Sequence, residues 1–407
     1  MRTGLWLIGL AFSFRCTLSN PLSLDPGWNV SAVESQVGPL PSHCWEFGTA
    51  TEALLELYSP MLSVFGPNPF PAPAPDPQQV KALAYAQSKI VLGTGANVLG
   101  DGSGAVGDPA SLGVYAWLLG KTNDTYKQAA VEQIQYLLEQ APRYQNESGA
   151  ISQRVDVAEL WADFMYMAPP FIAYFAADTS NETLLEESYK QCAYYREILQ
   201  SQFIKNESYY GAWSHIVGPQ SSDPGLWSTG NGWAAAGMTR VLAVIMKSFV
   251  GSPNPWRQLA IDDLTYWIRE IIESAVALTP TSTPLLHNYL DDDDWFPEIS
   301  GSCMLASVVY RMAVLRPEVF VEFIPWADNI RTELGSGEHI TSTGIVSPAI
   351  NPLDWGDWSP YVTGSPEGQA MVILMYAGWR DCVYAMVCTT SSVPDKRGMQ
   401  KHRRERH

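Results

Sequence analysis

Apolar side chains recur every three or four residues along most of the chain, and strand-like alternation is scarce. From Asp156 to Ala177, the positions Leu160, Phe164, Met167, Phe171 and Tyr174 share one helical face. From Glu182 to Gln200 the same holds for Leu185, Cys192, Tyr195 and Leu199, and from Pro255 to Ala277 for Leu264, Trp267, Ile268 and Ile271. The period predicts helices near 45–64, 77–92, 107–120, 123–141, 156–177, 182–201, 230–249, 255–277, 297–315, 317–334 and 365–388, with a short one near 350. About a dozen helices joined by loops imply an all-α fold of stacked hairpins. Six hairpins close into an (α/α)6 barrel, with inner helices buried all round and outer helices amphipathic. An open solenoid is the alternative, and the chain has no fixed short repeat to support it. In a closed barrel the loops entering the inner helices converge on one mouth, where chemistry is expected.

Punctuation and ends divide the chain further. Residues 20–42 are rich in Pro, Ser and Gly and read as an extended N-terminal segment over the surface; Pro67 to Pro77 reads as a loop or polyproline stretch. The barrel then occupies residues 43–390. Beyond it, residues 391–407 read as a disordered tail, strongly basic from Lys396 to His407. At the other end, Arg2, the apolar stretch Leu5 to Phe14 and the small residues Thr17 and Ser19 read as a signal peptide over residues 1–19. The chain is therefore expected outside the cell. Five N-x-S/T sequons, at Asn29, Asn123, Asn146, Asn181 and Asn206, agree with export and make it a candidate glycoprotein. No later segment reads as transmembrane, so no membrane association is expected once the signal is removed.

Composition narrows the partners. A net charge of −17 argues against nucleic acid and anionic membrane surfaces. A hydrophobic content of 46% supplies a large core, and the 15 tryptophans and 19 tyrosines suit surfaces part apolar and part polar. If Cys16 leaves with the signal, Cys44, Cys192, Cys303, Cys382 and Cys388 remain, an odd set that cannot pair completely. Cys382 and Cys388 would not meet on one helix, and no disulfide is assigned. No Cys/His spacing suggests zinc, and no metal site is expected. The run Asp291 to Asp294 lacks the spacing of a calcium loop and reads as a solvated loop capping the helix after Trp295.

Several residues carry candidate chemistry. In LWSTGNGW, Trp227 and Trp233 flank what reads as a bend at Gly and Asn. They are core plugs or walls of a sugar pocket. Asp163, in ELWADFMYMAPPF, falls within an apolar helical pattern between Trp161 and Met167. Burial there is expected to raise its pKa, which suits a general acid; the alternative is an aspartate paired with Arg154. Asp108 precedes a proline and reads as a helix cap whose carboxylate points toward the mouth. His215 and Asp223 share a long loop with aromatic neighbours. There is no phosphate-binding glycine loop and no G-x-S-x-G elbow.

The blocks LWADFMYMAPPF, LWSTGNGWAAAGMTRVL, EISGSCMLASVVYRM and GSPEGQAMVILMYAGWRD resemble glycoside hydrolase family 105, with CWEFGTATEALLELY similar to its first barrel block. The likeness runs in order from about Cys44 to Asp381 and looks closest to a secreted fungal branch. Its members are unsaturated rhamnogalacturonyl hydrolases with a six-hairpin α/α barrel, related to the unsaturated glucuronyl hydrolases of family 88. The resemblance implies an oligosaccharide substrate of cell-wall, especially pectin, origin. Its unsaturated uronyl end is hydrated at the C4–C5 double bond, and the hemiketal that results collapses. By resemblance Asp163 is the general acid/base, Asp108 assists, and Trp161, Met167, His215, Trp227 and Trp233 line the sugar site together with Trp45, Thr229 and Asn231. No metal or organic cofactor is implied. Two departures stand out. Thr229 occupies the place of an arginine that holds the uronate carboxylate, and ISQR places Gln153 and Arg154 where the family carries His or Lys. Arg154 is the candidate replacement cation. A same-fold hydrolase of a neutral sugar and a non-catalytic glycan-binding protein are the alternative readings.

Overall fold

The computed structural model describes residues 21–22, 24–144, 149–200, 211–248 and 254–390. The predicted signal peptide and basic tail, and the sequons at Asn146 and Asn206, lie outside these residues.

Six helices buried nearly all round form an inner ring. They are α2 (Cys44–Tyr58), α5 (Gly113–Gly120) with the single turn α4 (Gly107–Ala110) before it, α8 (Pro169–Asp178) after the turn α7 (Phe164–Met167), α10 (Ser228–Lys247), α12 (Ile299–Leu315) and α15 (Pro366–Tyr384). Each packs on the next, and α15 packs back on α2, so the ring closes. Outside it lie the amphipathic helices α3 (Lys81–Lys89), α6 (Asp124–Gln135), α9 (Glu182–Leu199), α11 (Pro255–Ala277) and α14 (Ile324–Leu334), with the short turn α13 (Pro317–Phe320) leading into α14. The architecture is the all-α (α/α)6 barrel that the periodicity implies.

The sixth outer helix is α1 (Val30–Val37), which packs on α15. It corrects the reading of residues 20–42 as extended. Asn29 accepts the Ala32 N–H at 3.0 Å to start the helix, and Val30, Val33 and Val37 bury one face. The helix expected near 350 is a loop instead. Pro348 and Pro352 interrupt it, and the Ile350 N–H is bound by the Glu298 carboxylate at 3.1 Å.

Three boundaries shift in ways that matter for the site. Residues 156–163 are not helical: Leu160–Trp161 (β1) pairs antiparallel with Ile216–Val217 (β2), and the helix begins only at Phe164. The final helix stops at Tyr384, and Met386 takes a φ of +59°, so the chain turns back and Cys388 forms a disulfide with Cys382. Cys44, Cys192 and Cys303 stay as buried thiols. Finally, the helix after Trp295 is capped by Glu298, which accepts the Ser300 and Gly301 N–H groups at 2.8 and 2.6 Å, and not by the aspartate run.

A polar column lies inside the ring. Arg240 meets Glu52 at 3.0 Å, and Arg311 joins Glu56 at 2.5 Å and Asp381 at 2.6 Å. All but Asp381 are almost wholly buried, and each guanidinium is tied to a carboxylate from a different helix. Such pairs are costly to break from one side.

Candidate active site

The N-terminal ends of the inner helices surround a cavity of about 220 Å³. Trp45 comes from α2, Asp108 from α4, Asp163 from the residue before α7 and Met167 from its end, Trp227 from the residue capping α10, and Glu367 from the first turn of α15. Convergence on one mouth, expected from the closed barrel, is therefore met. Arg154 and Trp161 also border the cavity, as does Trp355, which the sequence reading did not single out.

Asp163 sits at the mouth because the β1–β2 pairing ends two residues before it. The Ala162 N–H donates to the His215 carbonyl at 2.9 Å, which locks the two loops together. As a result His215 Nε2 stands 3.2 Å from Asp163 Oδ2, and His215 Nδ1 stands 3.0 Å from Asp223 Oδ2. The Nε2 contact is close but poorly aligned, so Asp163 Oδ2 makes no hydrogen bond. Asp223 also accepts the Tyr289 hydroxyl at 2.6 Å and the Gly225 N–H at 3.0 Å. Burial works against a charged His215 ring, but the carboxylates of Asp163 and Asp223 outweigh it, and the imidazole holds its proton above its ordinary range. Burial pushes Asp223 up, yet the bonds from His215 and Tyr289 hold it below the usual carboxylate range.

Asp108 lies inside the first turn of α4 and caps nothing, which corrects the reading of it as a helix cap. Its carboxylate accepts the Gln153 side-chain amide at 2.9 Å. Burial raises its pKa to about 7; the Gln153 bond opposes this and the charge of Asp163 adds to it. Glu367 is buried too, with Oε1 accepting the Trp45 indole N–H at 2.9 Å and Oε2 without a partner. Burial first, then Asp163, Glu46 and Glu298, drives its pKa well above the ordinary value. The cavity thus pairs two buried carboxyls, Asp108 and Glu367, whose pKa values burial raises, with a buried histidine behind Asp163.

The indoles are held by buried polar groups. Trp161 donates to Glu159 at 2.6 Å, and the other Glu159 oxygen binds the Gln220 and Ser221 N–H groups. Trp227 donates to Asn288 at 2.9 Å, while the Asn288 amide donates to the Trp355 carbonyl at 3.1 Å. His215 lies against Trp227, its ring centroid 4.3 Å away, and meets Trp355 edge-on.

Four expected site residues do not line the cavity: His215 is buried behind Asp163, and Thr229, Asn231 and Trp233 stand elsewhere. Thr229 is fully buried and donates to Glu298 at 3.2 Å, turned from the cavity. Asn231 braces the loop by bonding Trp213 N–H and the Trp213 and Trp227 carbonyls. Trp233 is a core plug against Tyr166. The reason is geometric: α10 begins at Ser228, so Trp227 and Trp233 are separated by helical turns and face different sides. The glycines of this stretch serve close helix packing rather than a bend; a side chain on Gly232 would press on Met304 at 3.0 Å. Arg154 does border the cavity, with its guanidinium 3.7 Å from Asp156.

Residues 107–315, just over half of the chain, match the family model described as Glycosyl Hydrolase Family 88. The chain belongs to this family. The matched span holds Asp108, Asp163, His215 and Trp227; this family 88 member adds Trp45, Trp355 and Glu367 from outside it. It is 30% identical over 194 residues to the unsaturated rhamnogalacturonyl hydrolase YesR of Bacillus subtilis (strain 168), covering 46% of this chain. The match spans about half, 52%, of that relative's length. Among solved structures it is similar to a family 105 glycoside hydrolase of C. acetobutylicum ATCC 824, with a TM-score of 0.64, 14% identity, and 86% of this chain and 99% of that one covered. It is also similar to the unsaturated glucuronyl hydrolase of Bacillus sp. GL1, with a TM-score of 0.57, 14% identity, and 83% and 85% coverage. These two likenesses concern the fold.

Proposed function

We propose that the chain is a secreted hydrolase that removes an unsaturated uronyl residue from the end of a cell-wall oligosaccharide, of the pectin type. The observation that carries this reading is Asp163 on the wall of an indole-lined cavity, its Oδ2 without a hydrogen-bond partner and His215 3.2 Å behind it. In its protonated form Asp163 gives a proton to C4 of the sugar's vinyl ether. Its conjugate base then draws a proton from a water that adds to C5. The product is a hemiketal that opens and expels the remaining sugar. His215 positions Asp163 between these two roles, and Asp108, neutral up to about pH 7, donates a hydrogen bond without adding charge. With Thr229 turned away, Arg154, which borders the cavity, takes the uronate carboxylate in this reading.

Export is supported by the exposed sequons Asn29, Asn123 and Asn181. Each accepts a helix-capping N–H through its side-chain oxygen, so its amide nitrogen takes no part in the cap. A mass shift on endoglycosidase treatment of protein from a eukaryotic host tests this part; an unchanged mass speaks against it. The activity is tested on unsaturated uronyl disaccharides by following the loss of the double-bond absorbance together with release of the second sugar. Turnover of saturated substrates alone would favour the neutral-sugar reading, which the three carboxyls around the cavity suit. Binding without turnover would favour a glycan-binding protein.

A further inference from the structure

The cavity has room for about one sugar ring, so the rest of an oligosaccharide has to leave over the rim. One rim loop is unlike the others. Between Asn351 and Thr363 it exposes Leu353 by 55%, Trp358 by 57% and Val362 by 62%. Trp358 is the one tryptophan among the described residues that is more than half exposed. It is not loose: one face stacks on Trp295, with centroids 4.0 Å apart and planes within 16°. Trp295 in turn rests on Tyr289, which binds Asp223 behind His215. The other indole face is open.

The same loop forms part of the cavity wall through Leu353 and Trp355. Trp355 and Trp358 are three residues apart, so their Cα atoms are separated by no more than about 11 Å. An aromatic surface therefore continues from the cavity over the rim. Its polar surroundings are acidic. Asp354 and Asp357 lie on the loop, and Asp291 and Asp292 line the open groove beside Trp295. A uronate there would meet like charge, whereas a neutral ring offers its apolar face to the indole and its hydroxyls to the carboxylates.

We propose that Trp358 is a stacking platform for a neutral sugar of the leaving oligosaccharide, outside the cavity and separate from the chemistry. This rests on the unsaturated-uronyl reading above. The test compares Trp358→Ala with the wild type on three substrates: a methyl glycoside of the unsaturated uronate, a trisaccharide with two further neutral residues, and one with two further uronates. The expected result is a fall of about fivefold in kcat/KM for the neutral trisaccharide relative to the methyl glycoside, carried by KM. The wild type is also expected to prefer the neutral over the uronate trisaccharide. An unchanged ratio, or a wild type that favours the uronate form, overturns the platform. If the wild type turns over none of the three, the functional reading fails. Calorimetric binding of the neutral oligosaccharide to the two proteins then decides the platform: weaker binding by Trp358→Ala supports it, and equal affinity overturns it.

Discussion

His215 Nε2 lies 3.2 Å from Asp163 Oδ2, while its other ring nitrogen is held by Asp223 at 3.0 Å. The buried His215 ring between Asp163 and Asp223 gives Asp163 a fixed neighbour without a well-aligned bond that would tie up its reacting oxygen. Replacing the ring by His215→Gln keeps a polar side chain and removes the titrating group. We expect kcat to fall about a hundredfold with KM nearly unchanged, and the pH–rate profile to change because a titrating ring next to Asp163 is lost. Steady-state kinetics across pH check this; a change in KM alone would make His215 a substrate contact.

Asp108 should leave a signature in stability. Its folded-state pKa is raised from 3.8 to about 7, so its contribution is fully present below about pH 4 and is lost as pH rises to about 7. Asp108→Asn cannot ionise. Its melting temperature should match the wild type near pH 4 and exceed it by several degrees at pH 8. Differential scanning fluorimetry over this range reads the crossing; parallel curves would show that Asp108 is not held neutral by burial.

Asn288 holds two walls of the cavity, through the Trp227 indole and the Trp355 carbonyl. Asn288→Ala leaves both groups without that partner. The expected effect is a rise of about tenfold in KM with a smaller change in kcat. Titration of tryptophan fluorescence with the disaccharide should show the same loss in affinity.

The barrel's polar column should respond to one-sided change. Arg240 faces Glu52 at 3.0 Å, both almost wholly buried. Arg240→Met strands a carboxylate and should cost about 3–5 kcal/mol in urea denaturation. Adding Glu52→Gln should recover much of that loss; no recovery would mean that Arg240 acts mainly by packing against Tyr166.

The helices whose faces repeat at three and four residues were readable from sequence, from α2 to α15. The helix α1 was not, because the prolines and glycines flanking Val30–Val37 hide eight residues of good amphipathic pattern. The site was readable where its residues lie in one block: Trp161, Asp163 and Met167 all reach the cavity. It was misread where a helix had been taken for a bend, since rotation along α10 carries Thr229 and Trp233 away from Trp227. Glu367 was out of reach, because ring closure joins it to Trp45 across 322 residues and no local pattern records that contact. Burial raises the pKa of Asp108 and Glu367, carboxyls for which the sequence carried no such expectation.

The most direct test follows an unsaturated uronyl disaccharide in D2O by nuclear magnetic resonance, with the wild type and Asp163→Asn side by side. The wild type should consume the double bond in step with release of the second sugar and place one deuteron at C4. Asp163→Asn should be about a thousandfold slower with its fold intact. Sugar release with the double bond preserved, or full activity of Asp163→Asn, would contradict hydration by Asp163.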